Sequence, residues 1–415
     1  MTKGYSPPGP IARAVAMDFR LSDEEQLFQR TVNEFAMRVL APRAREVDEK
    51  EEIPVEVLKE MGAMGLLGIT IPKAYQGPGG TVTQAALAAI EIGRGDVSMA
   101  TAVYYLLCAG WSAVLAKYGT EECKTLVLPR VATGEWFLGI ATTEAGGGSD
   151  LSNIKTTARV EQDRVVIRGE KMFISGGLEA QKRGGGHLVL AKLDESKGTR
   201  GMAFVYVPMD ARGVSASKFQ NMGRMGISTC TVVYDDVEVP RSFVLGEPLK
   251  GFNYAMDGFS VARILVSAAC IGAGERGIDI AVEYLRQRRA FGQPLGKWEG
   301  VQFELADLYA RLDQAKLEVL KAAWMQDEKA KGNPVDESEL SRTVAIGKLV
   351  APPVALDIYR AVMQWYGAAG YTRDYEIEMG LRGVLSYNVG AEGALHIMRI
   401  ILGRELLGRD FVPYK

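Results

Sequence analysis

Apolar residues in the first quarter of the chain recur every three to four positions. In SDEEQLFQRTVNEFAMRVL they fall at Leu27, Phe28, Val32, Phe35, Val39 and Leu40, the spacing of one helix face. Ser22 opens that stretch and Glu25 stands three residues on, a capping box. PVEVLKEMGAMGLLGITI predicts a helix that ends near Gly65 and runs into an extended piece. QAALAAIEIGRGDVSMATAVYYLLCAGWSAVLAKY predicts buried helix, interrupted near Gly93-Arg94-Gly95. From Glu135 the texture changes to short β-branched runs: FLGIATTE, IKTTARVEQDRVVIRGEKMFIS, HLVLAKLD, GMAFVYVPMD and TVVYDDVEVP. Gly, Asp and Pro separate them and no helical stretch joins them, so an antiparallel sandwich or barrel is expected rather than βαβ units. EQDR reads as a hairpin turn, and AQKRGGGHL (Ala180 to Leu188) as a flexible surface loop. After Gly251 the helical period returns; VDESELSRTVAIGKLVAPPVALDIYRAVMQWYG begins with a second capping box, Asp336 with Glu339, and stops near Gly367. The expectation is an α+β protein: a flexible extension over 1–17, an N-terminal helical domain over 18–135, a middle antiparallel β domain over 136–250 and a C-terminal four-helix bundle domain over 251–415.

Composition narrows the function more than the fold. A chain of 415 residues that is 47% hydrophobic can bury a large core. Its formal net charge of -2 gives no electrostatic case for nucleic acid or an anionic membrane. Apolar runs such as HLVLA and ILVSAAC are too short to span a bilayer, and MTKGYSPPGPIARAVA lacks the apolar segment of a signal peptide. Cys108, Cys123, Cys230 and Cys270 show no CxxC spacing and read as buried thiols of a cytoplasmic protein. With only His187 and His396, a histidine-rich metal site is excluded.

Two glycine-rich stretches invite opposite readings. GAGERG (Gly272 to Gly277) matches a dinucleotide pattern that works only at a strand-turn-helix junction. Here it lies inside a helical run, so small residues for close helix contact explain it better. TTEAGGGSD (Thr142 to Asp150) ends the first strand of the β block. Glycines there let a flat ligand lie on the main chain, with Thr142, Thr143 and Ser149 offering hydroxyls. An ordinary glycine-rich turn is the competing reading of that stretch alone.

The company the loop keeps changes its reading. TTEAGGGSDLSNIKTTA, GEKMFISGG, MGRMGISTCTVVYDDVEVP, RRAFGQPLGKWEGVQFELADL and QWYGAAGYTRDYEIE occur in this order, with LGRELLGRDF at the close. Together, from about Asp18 onward, they resemble the flavoprotein acyl-CoA dehydrogenase family; Met17-Asp18-Phe19 resembles the usual family start. The resemblance implies FAD on the glycine loop, with Thr142 among its binding residues, Thr143 close to the pyrimidine side and Ser149 on the CoA side. Phe173, Ile174 and Ser175 would cover another part of the ring, Phe173 standing where many members have Trp. Arg288 and Phe291 match an element that reaches a neighbouring subunit's FAD pyrophosphate. Gln364, Gly367 and Ala368 match a segment that contacts the dinucleotide across an interface. A homotetramer is therefore implied, with an electron-transfer flavoprotein as electron acceptor.

For the substrate, an acyl-CoA, the resemblance implies that Arg263, Ser149 and Gly393 help hold the thioester and that Glu392 is the catalytic base. The backbone N–H of Glu392 would bond the thioester oxygen, as an oxyanion hole does. A base is chemically required, because α-proton removal needs a positioned acceptor. EGALHIMRIILGRE carries the family's spacing from the base to Ile397, Arg399 and Arg404, yet one extra residue lies between Arg382 and Glu392, and a gapless register would place Ala391 at the base position. Glu299, Ser260, Ala394 and Ala145 also depart from the family pattern, and Asp96 and Asp257 are the alternative carboxylates. The expected reaction is α,β-dehydrogenation to a 2,3-enoyl-CoA. An acyl-CoA or nitroalkane-type oxidase, an enoyl-CoA reductase and a non-catalytic flavin-binding protein stay open beside it.

Overall fold

The computed structural model describes residues 20–413, so the expectations for 1–17 and for the start at Met17 lie outside the described residues. Six helices come first: α1 (Asp23–Phe35), α2 (Ala44–Lys50), α3 (Val55–Ala63), α4 (Val82–Gly95), α5 (Ala100–Tyr118) and α6 (Glu121–Ala132). The Ser22 hydroxyl accepts from the Glu25 N–H and the Glu25 carboxylate accepts from the Ser22 N–H, the reciprocal box read in the sequence. The piece after Gly65 folds as successive turns rather than a strand; Ile71 and Gly79 close it with backbone hydrogen bonds. Gly93, Arg94 and Gly95 stay helical as the last turn of α4, and the break expected there comes just after them, before α5 begins at Ala100; Asp96 fills it by accepting from the Ser98 and Thr101 N–H groups.

The middle sheet comprises β1 (Phe137–Ala141), β2 (Thr157–Val160), β3 (Arg164–Ser175), β4 (Gly185–Lys192), β5 (Met202–Pro208), β6 (Val214–Lys218) and β7 (Thr229–Pro240). Strand order is β1-β4-β2-β3-β7-β6, with β5 on the far side of β4. Most pairs are antiparallel, and Glu161 N–H donates to the Arg164 carbonyl in the β2–β3 hairpin. Two features correct the sequence reading. β1 and β2 pair with β4 in parallel, and one short helix, α7 (Gly177–Arg183), interrupts the block. The stretch Ala180 to Leu188 is accordingly no flexible loop. Arg183 ends α7 with its side chain on the Ile53 carbonyl, and Gly185 to Leu188 are buried in β4. Glycine is required there, since a Cβ on Gly185 would fall 2.0 Å from the Phe137 carbonyl oxygen.

The last block holds α8 (Gly251–Gln287), a small hairpin of β8 (Arg289–Ala290) and β9 (Gln293–Pro294), then α9 (Glu299–Ala330), α10 (Glu337–Tyr366), α11 (Ile377–Val389) and α12 (Leu395–Leu407). α8 to α11 pack on one another and α12 adds a fifth helix against α10. Asp336 caps α10 by accepting from Ser338 N–H, but Glu339 bonds Lys321 instead of closing a box. GAGERG lies wholly within α8, where a Cβ on Gly272 would sit 1.7 Å from the Ile90 carbonyl oxygen of α4. Gly272 serves backbone-to-backbone helix contact, while Gly274 and Gly277 make room for the side chains of Leu312 and Ile358. Two helices, α5 and α8, are long and apolar enough to cross a membrane, which the short apolar runs did not suggest; 83% and 72% of their apolar windows are buried inside the protein, as in core helices.

Candidate active site

A cleft of about 970 Å³ lies between the β sheet and the helices on either side of it. Its sheet wall carries Thr142, Thr143 and Ser149 from the glycine loop and Phe173, Ile174 and Ser175 from the end of β3. Its helical wall carries Val103, Leu106 and Leu107 of α5, Phe259 and Arg263 of α8, and the Ala391–Glu392–Gly393 turn. The structure thus brings nine of the sequence-predicted site residues into one cavity.

The glycine loop is held from behind by a buried ion pair. Lys171 Nζ lies 2.8 Å from a Glu144 carboxylate oxygen and 3.1 Å from the Thr142 carbonyl. Glu144 also accepts from the Thr156 N–H at 3.0 Å and from the Lys155 N–H. Burial pushes the Glu144 carboxyl up, but the Lys171 cation and these hydrogen bonds outweigh it and hold the group below the usual carboxylate range. The Lys171 ammonium, desolvated and only partly compensated by Glu144, is lowered to about 8. Both residues sit inside the motifs quoted above, yet reading these as glycine-loop and ring-cover segments passed over their charges.

Phe173 adopts φ 59°, which turns its ring outward beside Phe219, 5.1 Å away between centroids. That ring is 61% exposed, a large apolar face left uncovered on the cleft. In the glycine loop, a Cβ on Gly146 would meet nothing within 4 Å. An open main-chain shelf with hydroxyls at one end and an uncovered phenyl at the other fits a flat heteroaromatic ring, as FAD presents.

Glu392 stands on the other side. The chain leaves α11 at Val389 and turns through three residues of positive φ: Ala391 at 56°, Glu392 at 52° and Gly393 at 111°. Glu392 Oε2 is enclosed without a hydrogen-bond partner, and burial, eased by Arg263 and then Lys348, pushes the carboxyl up to about 7. Arg263 Nε donates to the Glu392 carbonyl at 2.8 Å, and a Cβ on Gly393 would lie 3.4 Å from the same guanidinium. From below, the buried Lys348 of α10 donates to the Tyr387 carbonyl at 2.6 Å and reaches the Gly390 carbonyl at 3.5 Å. Its ammonium is lowered to about 8 by burial. Lys348 went unnoticed in the sequence because a lysine in an apolar helix reads as a solvated residue until its carbonyl partners, 39 and 42 residues on, are seen.

The alternative carboxylates are committed elsewhere. Asp96 is buried on Ser98 and Thr101, Asp257 bonds Lys117 and Tyr118, and neither lines the cleft. Arg288, Phe291, Gln364, Gly367 and Ala368 are also not lining residues. They gather where α8 and α10 end, an end joined by the Tyr284–Tyr366 stack at 3.7 Å. Phe291 is 94% exposed on the β8–β9 hairpin. Among the described residues no group of three His, Cys, Asp or Glu could hold a metal ion.

A helical–β–helical chain thus places an open glycine loop and an enclosed carboxyl in one cleft. Comparison with known proteins supplies the family. The acyl-CoA dehydrogenase N-terminal, middle and C-terminal domain models match residues 22–135, 139–237 and 249–407. A probable acyl-CoA dehydrogenase of Bacillus subtilis (strain 168) is 33% identical over 94% of this chain and 100% of its own. An acryloyl-CoA reductase (NADH) of Anaerotignum propionicum is also 33% identical, over 96% of this chain and 98% of its own. The structure of butyryl-CoA dehydrogenase from Megasphaera elsdenii superposes with a TM-score of 0.85 at 30% identity, covering 94% of this chain and 100% of that one. The chain belongs to the acyl-CoA dehydrogenase family. It is an oxidoreductase whose cofactor is FAD.

Proposed function

We propose that this protein is an acyl-CoA dehydrogenase in which Glu392 takes the α-proton of the thioester. The observation that carries the reading is an enclosed, unpartnered carboxyl facing the ring shelf across the cleft. FAD on Thr142, Thr143, Ser149 and the Phe173–Ser175 segment supplies the two-electron acceptor. Everything else is the work of this chain. Arg263 and Lys348 hold the Glu392 turn through its carbonyls, so the carboxyl keeps one position while its charge changes. Desolvation raises its proton affinity toward that of the carbon acid it must deprotonate. The Glu392 N–H serves the thioester oxygen as enolate-like charge builds. Ser149 and Gly393 border the thioester, and α5 with α8 supplies an apolar wall that excludes water from the acyl chain.

Arg288, Phe291, Gln364, Gly367 and Ala368 act in a homotetramer, each completing a neighbour's dinucleotide site. Support comes from their distance in the fold from their own cleft's lining and from the uncovered aromatics of α9, Phe303, Tyr309 and Trp324. Electrons then pass to an electron-transfer flavoprotein. Four unpaired buried cysteines suit the reducing cytoplasm. The reductase direction is the second reading, favoured by the reductase relative described above. The test is anaerobic mixing of the purified yellow protein with a panel of acyl-CoAs. Bleaching of the flavin by at least one saturated thioester is expected; a colourless protein, or a flavin that no thioester bleaches, overturns the reading.

A further inference from the structure

The cleft holds a cation that the reaction above does not use. Arg224 lies in the segment between β6 and β7, which the structure clamps on both sides. Arg382 donates to the Met222 carbonyl at 3.0 Å, and Gly226 packs so tightly that a Cβ would fall 2.3 Å from Val47 and 3.0 Å from Ala100. Arg224 itself adopts φ 57°, a backbone conformation that long side chains rarely take. It lines the cleft together with Glu392, Arg263 and Tyr387.

The other arginines of this wall have partners. Arg263 is on the Glu392 carbonyl, and Arg382 is on Asp48 at 2.7 Å and Glu378 at 2.7 Å. Arg224 pairs with no carboxylate among the described residues, and its Nε is enclosed without a hydrogen-bond acceptor. The Tyr387 hydroxyl, near enough to the guanidinium to interact with it, is enclosed and unpartnered as well. Two desolvated donors left open at one point are costly unless a ligand completes them. A guanidinium fork presented this way matches a carboxylate. Position decides which ligand brings it. Ala100, against which the Arg224 segment packs, begins α5, and Val103, Leu106 and Leu107 follow within two turns along the same helix. A chain of methylenes laid on that apolar wall ends at Arg224.

We propose that Arg224, with Tyr387 as second donor, reads the far end of the acyl group, and that the preferred substrates are mono-CoA thioesters of short dicarboxylic acids. The proposal rests on the acyl-CoA reading of the cleft. Its test compares calorimetric binding of four- to six-carbon dicarboxylic mono-CoA thioesters with that of straight-chain acyl-CoAs of equal carbon number, using the FAD-loaded protein. The dicarboxylic thioesters are expected to bind at least about tenfold more tightly, the weight of a charge-assisted hydrogen bond. Arg224→Met is expected to remove that preference and keep its FAD, while Arg224→Lys keeps part of it. A parent that favours the methyl-terminated thioesters, an Arg224→Met variant that keeps the preference, or one that loses FAD overturns the assignment; the last would place the guanidinium on the cofactor. Binding is read separately from bleaching. Equal binding of the two series by a protein whose flavin they bleach removes the role of Arg224 and leaves the dehydrogenase reading standing, whereas preferential binding without any bleaching does the reverse.

Discussion

At the scale of single residues the carboxyl of Glu392 carries the sharpest expectations. Glu392→Gln keeps the size and the backbone turn but takes no proton. The variant should stay yellow and bind acyl-CoA, and its flavin should bleach at least about 10²-fold more slowly in anaerobic stopped flow. Near-parental bleaching would assign proton removal to another group. The pH dependence follows from a carboxyl raised to about 7 by burial. Only the ionised form accepts a proton, so bleaching at low substrate should rise about tenfold per unit below pH 7 and level off above it. A profile that levels off near pH 4.5, the ordinary carboxyl range, would mean that Glu392 is solvated in solution. Which residue to propose as the base was only partly legible in the sequence. The extra residue upstream left Ala391 and Glu392 in competition, because spacing counts residues and cannot show a turn of three successive positive φ angles. The lysines behind the site were illegible for a related reason: Lys171 and Lys348 act on groups 27 to 42 residues away in the chain.

At the scale of elements, helices were legible wherever a periodic face met a cap, as at Ser22, and less so where tertiary contact set the structure. The glycines of 184–186 read as a loop because a run of three suggests freedom. They are fixed instead by the strand that crosses them, Gly185 against the Phe137 carbonyl and Gly186 against Val207. Parallel pairing of β1 with β4 was hidden in the same way, since α7 is too short to announce a crossover. GAGERG shows the converse, a cofactor-like pattern with a packing cause. Gly272 meets the Ile90 carbonyl of α4, while Gly93 of α4 meets the Ala269 carbonyl of α8. Gly272→Ala must push these backbones apart, and the expected loss is about 1–3 kcal/mol. A urea midpoint unchanged from the parent would show that the two helices part without cost.

At the scale of the whole molecule, the homotetramer proposed above assigns the motif residues at the end of α8 and α10 to a neighbour's dinucleotide site. Arg288→Ala should weaken FAD retention and tetramer integrity together, since a charge-assisted bond is worth roughly 1.5–3 kcal/mol. Gel filtration with light scattering, run beside flavin content, checks both. Parental FAD affinity in that variant would take Arg288 off the neighbour's phosphates. The α9 face bearing Phe303, Tyr309 and Trp324 gave no signal in the sequence, because an apolar residue on a helix looks the same whether it faces its own core or another chain.

One contact fixes more than geometry. Asp327 of α9 is buried and accepts from the Val82 N–H at 2.7 Å and the Thr83 N–H at 3.0 Å, so it caps the start of α4 from 245 residues downstream. At synthesis rates of about 5–20 residues per second, that cap emerges from the ribosome roughly 12–50 s after the helix it completes. Through that interval α4 lacks its capping carboxylate, and until Ala269 is made it also lacks the α8 surface against which Gly93 belongs. The nascent N-terminal segment therefore waits with an apolar face in water, which is the circumstance in which a chaperone is engaged.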